Sequence, residues 1–120
     1  MPPAPTLLDD ARAMIERGWS QGADARDGAG HAVKPWCPDA RMWSLLGALV
    51  AALEAATDRN EGLEVGELAV ACIALAAVID HDSLESWNDD PTRTRADVLA
   101  ALDRALTKTA RAATQPNAWN

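Results

Sequence analysis

The sequence contains neither phenylalanine nor tyrosine, and its 120 residues include two cysteines and two histidines. Five tryptophans therefore supply all of the aromatic surface, and alanine, leucine and valine supply most of the remaining apolar volume. Aromatic side chains bury large areas and dominate the packing energy of cores and interfaces. The positions of the tryptophans should therefore indicate both the core and any binding site.

Disulfide pairing and membrane insertion both have weak sequence support. Cys72 lies in a continuous apolar run, where a buried thiol packs as a small hydrophobe, so a bridge to Cys37 is not expected. The longest apolar stretch, residues 68–79, is well short of the roughly 20 residues that cross a bilayer. Residues 1–6 are rich in proline and precede no signal-peptide core. We expect reduced cysteines, no membrane association and a cytoplasmic location.

Basic residues are in deficit: 11 lysines and arginines stand against 18 carboxylates, giving a net charge of −7. Such a surface repels nucleic-acid phosphates, so direct nucleic-acid binding is not expected, and it favours a basic protein partner. The length and the 48% hydrophobic content are those of one folded domain. We predict a single helical domain over 1–120, with flexible ends at 1–5 and 113–120.

Helical periodicity predicts an all-α fold, a compact bundle of about four helices. Helix one begins after Thr6 and stops at Gly18, helix two is capped by Asp39, and helix four begins at a capping box formed by Thr94 and Asp97. Helix three contains the run AVACIALAAVI, which is apolar on nearly every side. We therefore predict that helices two and three form the heart of the core, with Gly47 allowing their close approach.

A long glycine-rich loop, residues 19–38, separates helices one and two in this prediction. It shows no periodicity, and loops of this length in compact domains are usually functional or packed on themselves. The Asp27-Gly28 pair is typical of a tight turn, so a short hairpin between residues 19–23 and 31–33 is an alternative. Neither flank alternates cleanly between apolar and polar residues.

No catalytic motif is present, because the chain lacks a Gly-x-Ser-x-Gly elbow and a glycine-rich phosphate loop. We therefore assign no catalytic residue and no cofactor. Asp80, His81 and Asp82 are weak candidates for metal ligands, since they lie where the negative end of helix three is expected. Solvated carboxylates explain this acidic cluster better, because the spacing matches no calcium loop and further histidine ligands are lacking.

Tryptophans in short polar segments are the more specific signal. Trp87, followed by Asn88 and Asp89, either plugs one end of the bundle or forms part of a pocket, and the plug is the simpler interpretation. Trp19, next to Gly18, allows the same two interpretations. An ion pair between Arg93 and Asp89 would bracket the entry to helix four and bring both segments to the same end of the bundle.

Three segments carry a family resemblance: ERGWSQGA at 16–23, WSLLGAL at 43–49 and WNDDPTRTRADVLAALDRA at 87–105. Together they resemble a bacterial and phage family of small helical proteins of unknown function, with GWxxG, GAL and WNDxPxRT segments. The resemblance implies no activity, substrate or cofactor. It also implies that cysteine is common in the family at the position of Ser44, which argues against a shared catalytic thiol here. The positions that it implies as family-pattern residues are Gly18, Trp19, Gly22, Gly47, Ala48, Trp87, Asn88, Asp89, Arg93 and Thr94.

Two functions remain open, and a third is less favoured. The first is a non-enzymatic interaction or accessory protein with a protein partner or a second copy, for example a phage-related adaptor. The second is a small-molecule binder or enzyme with a pocket between the 19–38 and 87–93 loops. The third, mimicry of DNA by carboxylates, is opposed by the basic end of helix four. The candidate binding residues are Trp19, Gly22, Trp87, Asn88, Asp89 and Arg93.

Overall fold

A computed structural model describes residues 7–58 and 65–114. The predicted flexible ends lie almost wholly outside these residues, and the last helix continues through residue 114. In chain order the elements are α1 (Leu7–Arg17), β1 (Ala25–Asp27), β2 (Ala32–Val33), β3 (Ala40–Trp43), α2 (Leu45–Asp58), α3 (Val65–Ile79), α4 (Leu84–Asn88) and α5 (Arg95–Thr114).

The prediction of an all-α bundle is wrong, because a three-stranded antiparallel sheet lies between α1 and α2. The strand order is β2-β1-β3, and the turn between β1 and β2 lies at the predicted Asp27-Gly28 pair. The Asp27 carboxylate accepts backbone hydrogen bonds from Ala29 at 3.0 Å and from His31 at 2.9 Å. These bonds hold the turn and lower the pKa of Asp27. The first strand is residues 25–27, later than the predicted flank at 19–23.

The third strand replaces the predicted first turn of helix two. Ser44, not Asp39, caps α2, since its hydroxyl oxygen accepts a hydrogen bond from the Gly47 amide at 3.0 Å. Trp43 is buried within β3. Its amide donates to the Gly18 carbonyl and its carbonyl accepts from the Ser20 amide, so Trp19 lies parallel to Trp43 in an isolated β-bridge. The helical spacing of Met42 with later leucines had concealed this strand, because Met42 lies on the strand side of the cap.

The core lies between α1, α2 and α5, so the prediction of its heart is right for helix two and wrong for helix three. Leu45 and Leu49 of α2, Ile15 of α1 and Leu102 of α5 are fully buried. Helix α3 contributes Ala71 and Leu75 from one side alone. Gly47 approaches the Asp24 carbonyl in the loop, rather than helix three, and leaves no room there for a Cβ atom.

Helix α3 lies at the periphery, with large apolar side chains facing outward. Val70 is 60% exposed and Ile73 is 70% exposed. The physical reason is that the inner side of α3 packs against its neighbours, while no described element covers its outer side. None of the helices within the described residues is both long enough and apolar enough to span a bilayer.

The predicted start of the last helix is confirmed. The Thr94 hydroxyl accepts a hydrogen bond from the Asp97 amide at 3.2 Å, and the Asp97 carboxylate accepts one from the Thr94 amide at 3.0 Å. This is the reciprocal capping box that the sequence indicates. A short helix that the sequence did not reveal, α4, precedes it and is capped by Ser83, whose hydroxyl accepts from the Ser86 amide.

Candidate functional site

The two tryptophan-containing segments meet at one end of the molecule, in what we call the loop junction (residues 19–22 and 87–93). The Trp19 indole Nε1 donates to the Asn88 side-chain oxygen at 2.7 Å. The Gly22 amide donates to the Asp89 carboxylate at 3.0 Å, with a positive φ of 77° at Gly22. The geometry that the sequence suggested for these segments is therefore present, whereas a binding role for them stays a prediction.

Asn88 is the centre of this junction and has no solvent exposure. Its amide nitrogen donates to the Ser20 carbonyl and to the Asp89 carboxylate, both at 3.0 Å. Its side-chain oxygen accepts from Trp19 and from the Leu45 amide, the latter at 3.0 Å. An asparagine side chain has two donor hydrogens and two acceptor sites, and all four are used here. This side chain therefore joins three segments of the chain and offers no polar group to a ligand.

Trp87 packs inward at this end of the molecule, which favours the interpretation of a plug. It is 8% exposed and belongs to the hydrophobic core. The guanidinium of Arg93 lies over its ring, 3.9 Å from the centroid, and the Arg93 Nε donates to the Trp87 carbonyl at 2.9 Å. The expected pairing of Arg93 with Asp89 is therefore replaced by a cation–π contact and a backbone hydrogen bond.

Asp90 stabilises the turn between α4 and α5. Its carboxylate accepts from the Thr92 hydroxyl at 2.7 Å and from the Thr92 amide at 2.8 Å. These hydrogen bonds favour the ionised form, so they lower the pKa of Asp90, and the nearby positive charge of Arg93 adds to the effect. Asp90 and Thr92 therefore hold this turn by local hydrogen bonds, while Asp89 bonds to the Gly22 amide across the junction.

Sequence reasoning missed the residues that complete the junction. Gln21 donates from its side-chain nitrogen to the carbonyls of Asn88 and Asp90, at 2.9 and 2.8 Å. Its position between Trp19 and Gly22 within the family-like segment was the available signal. The participation of the Leu45 amide had no sequence signal, because that contact depends on where α2 begins.

A small cavity of about 100 Å³ adjoins the junction. Gly22 and Asp89 are the two predicted site residues that line it, together with Ala23, Asp24, Ser44 and Glu85. At about 30 Å³ for each water, this volume holds roughly three water molecules. Trp19, Trp87, Asn88 and Arg93 do not line this cavity. This small, acidic recess is lined by residues of both predicted loops. A second, open groove of about 480 Å³ is lined by Gly22, Asp24, Val33 and Lys34 of the 19–38 loop, so a binding role for this region stays a prediction.

The weak metal candidates do not form a ligand cluster. The His81 Nδ1 accepts a hydrogen bond from the Ser83 amide at 3.0 Å and lies 3.8 Å from the Asp82 carboxylate. Asp80 adopts a positive φ of 53° at the end of α3. Within residues 7–58 and 65–114, no three or more histidine, cysteine, aspartate or glutamate side chains are grouped so as to hold a metal ion.

The fold and the junction define a class: a small mixed helix-and-sheet protein in which a buried asparagine fastens two loops to the start of a helix. The chain belongs to a family of unknown function (DUF6197), whose model matches residues 1–108. No curated protein and no solved structure matches the chain.

Proposed function

We propose that this protein is a non-enzymatic interaction module and that the outer face of α3 is its docking surface. The observation that carries the proposal is the 70% exposure of Ile73 on a helix whose residues 68–79 include no charged side chain. Large apolar side chains grouped on a surface are typical of interaction sites. Val70, 60% exposed, is one turn away from Ile73.

The α3 outer face is a continuous stripe. Its members are exposed and recur at the spacing of one helical face: Gly66, Ala69, Val70, Ile73 and Ala77. Ala71 and Leu75 are buried on the opposite side of the helix, so the helix is fixed with this stripe outward. At 1.5 Å per residue the stripe is about 17 Å long, the length of three helical turns. It therefore matches a short segment of a partner.

The loop junction gives less support to a small-molecule binder or enzyme. The side chain of Asn88 uses its polar groups in hydrogen bonds within the chain. The cavity lined by Gly22 and Asp89 holds only about three waters. A structural fastening explains the Trp87, Asn88 and Arg93 positions without a ligand.

Site-specific photo-crosslinking tests the proposal. A benzophenone amino acid replaces Ile73 on the outer face or, as a control, Ala100, which is exposed on α5. In the native host we expect a discrete adduct from position 73, with an identity established by mass spectrometry, and none from position 100. The substitution Val70→Glu should remove the adduct. Equal labelling from both positions, or none from position 73, would contradict a docking role for α3.

We place this module in the cytoplasm, where a basic protein segment is the expected partner and direct contact with nucleic acid or a membrane is not. Cys37 and Cys72 are free thiols, which suits a reducing compartment. The net charge of −7 supports the same choice of partner.

A further inference from the structure

The negative charge of the protein is concentrated around α3. The 33 residues from 60 to 92 contain eight carboxylates and no lysine or arginine, whereas the other 87 residues carry ten carboxylates and eleven basic groups. Essentially all of the net charge of −7 therefore comes from the segment that contains α3 and α4. This asymmetry makes the segment around α3 negative along the chain. In space, Arg104 and Lys108 of α5 line a groove with Val78, so basic charge lies beside one side of α3.

Carboxylates stand at both ends of the α3 outer face. Glu67 is exposed in the first turn, and Asp80 and Asp82 are exposed just beyond the last turn. Between them the helix is uncharged. The surface is therefore an apolar stripe with negative charge at both ends. A complementary partner has an apolar stripe with positive charge at both ends.

We propose, resting on the function proposed above, that the occupant of the α3 outer face is a basic amphipathic α-helix of another polypeptide. Its apolar side packs on Val70 and Ile73, and lysines or arginines near its ends meet Glu67 at one end and Asp80 at the other. Recognition of this kind lays a helix into an apolar surface through residues one turn apart. The flanking charges set its orientation and speed its association.

A second copy of this chain fits the face poorly. In an antiparallel pair of α3 helices, Glu67 of one copy lies near Asp80 and Asp82 of the other, and in a parallel pair each end meets its own charge. Both arrangements place like charges together. The stripe is also small: about 17 Å by a 10 Å helix diameter gives on the order of 170 Å², against about 800 Å² per partner in stable complexes. A transient contact with a peptide-sized segment is the better match.

Peptide titration against the full chain tests this inference. The probe is a fluorescein-labelled, ~15-residue amphipathic helix with leucines at helical spacing and lysines at both ends, compared with the same peptide carrying glutamates at its ends. We expect the lysine peptide to bind at least about 10-fold more tightly by anisotropy, with the ratio shrinking at about 0.5 M salt. Equal binding of the two peptides would overturn the choice of a basic partner.

Substitutions localise the effect. Ile73→Gln should weaken the lysine peptide about 10-fold, whereas Ala100→Gln on α5 should leave it unchanged. The double change Asp80→Asn and Asp82→Asn should weaken the lysine peptide several-fold and leave the glutamate peptide no weaker, and asparagine tolerates the positive φ at position 80. Retention of full affinity in Ile73→Gln would overturn the inference.

Other occupants give different results. A photo-crosslinked dimer from position 73 would identify a second copy, and a marked gain in peptide affinity after removal of residues 115–120 would identify the chain's own C-terminal segment; either would overturn the basic-helix inference. If position 73 gives an adduct with another protein but the lysine peptide does not bind, the docking surface stands and its proposed partner chemistry is wrong. If position 73 gives no adduct, the proposed function itself fails.

Discussion

At the scale of single residues, Asn88 determines how one end of the molecule is assembled. Its side chain replaces water for the Trp19 indole, the Ser20 carbonyl and the Leu45 amide, which come from separate parts of the chain. A buried polar group without a partner costs about 1–3 kcal/mol, so each of these groups depends on the amide being present. These contacts therefore give Asn88 a structural role at this end of the molecule.

Replacement of Asn88 should therefore be costly. We expect Asn88→Ala to lower the free energy of unfolding by about 3 kcal/mol, because it leaves several buried donors and acceptors unpaired. The control Gln21→Ala removes two hydrogen bonds to backbone carbonyls at a half-buried position and should cost about 1 kcal/mol. Urea denaturation of both variants measures the difference. Equal losses would show that Asn88 is not the centre of the junction.

Asp90 should make the stability of the protein depend on pH. Its pKa is lowered in the folded state, so the ionised carboxylate stabilises the fold above the unfolded pKa of about 3.9. That contribution is lost as the pH falls through the folded pKa. Relative to Asp90→Asn, the native chain should be more stable from about pH 5 to 7, with the difference shrinking below about pH 4.

The Thr92→Val background provides the control for this titration, because it removes the hydroxyl donor to Asp90. The pH dependence of the Asp90→Asn difference should then be smaller. Urea unfolding at a series of pH values measures it. If the difference in unfolding free energy between the native chain and Asp90→Asn stays constant down to pH 2, the ionised carboxylate has no stabilising role.

At the scale of elements, glycines provide a matched pair of tests. Gly47 in α2 faces the Asp24 carbonyl without room for a Cβ, whereas Gly66 in α3 has open space around it. Gly47→Ala should lower stability by about 2–3 kcal/mol through overpacking. Gly66→Ala should raise it by about 0.5–1 kcal/mol, because alanine loses less backbone entropy in a helix. Thermal unfolding of both variants checks the signs, and a tolerated Gly47→Ala would contradict the close approach of α2 to the loop.

The orientation of α3 is tested by two residues on its opposite sides. Leu75 is fully buried and Ile73 is 70% exposed. Leu75→Ala should lower the free energy of unfolding by about 3 kcal/mol through loss of burial and creation of a cavity. Ile73→Ala should cost no more than about 0.5 kcal/mol, as for other surface positions. Similar losses in chemical denaturation would mean that the outer face is covered within the monomer.

Local signals predicted the helices better than their arrangement. The end of α1 at Gly18 and the Thr94–Asp97 capping box depend on residues close in sequence, and both were predictable. Of the sheet, the turn at Asp27-Gly28 was indicated as an alternative. The pairing of β1 with β3 was not predictable, because it depends on distant segments and the strands are only two to four residues long. The position of α3 failed for a related reason: apolar residues on every side indicate burial, and the sequence pattern does not reveal that no described element covers one side.

The candidate site was predictable in part, from residues that stand out locally in the sequence. Two tryptophans in polar segments indicated that residues 19–22 and 87–89 meet, and they do. The prediction that Arg93 pairs with Asp89 was wrong, and Arg93 lies over the Trp87 ring. An indole face and a carboxylate are both suitable neighbours for a guanidinium, and tertiary packing decides between them. The contact of Asn88 with Leu45 depends on a helix start that β3 displaces by several residues.

At the scale of the whole molecule, the loop junction holds one end together. The α3 outer face forms an apolar side with carboxylates at both of its ends. The junction uses its own polar groups internally, so it contributes stability. The α3 outer face contributes little to the core, since its large side chains are exposed. The exposed side chains of Val70 and Ile73 on this face are the basis of the proposed docking role.

Amide chemical-shift mapping of the full chain with the lysine-ended peptide tests this account most directly. It predicts perturbations that follow the outer stripe, at Gly66, Ala69, Val70, Ile73 and Ala77, with smaller changes at Glu67 and Asp80. The amides of Gly22 and Asp89 beside the small cavity should stay unchanged. Perturbations centred on those two residues would contradict the assignment of α3 as the docking surface, and the absence of any change along α3 would contradict the basic helix as its partner.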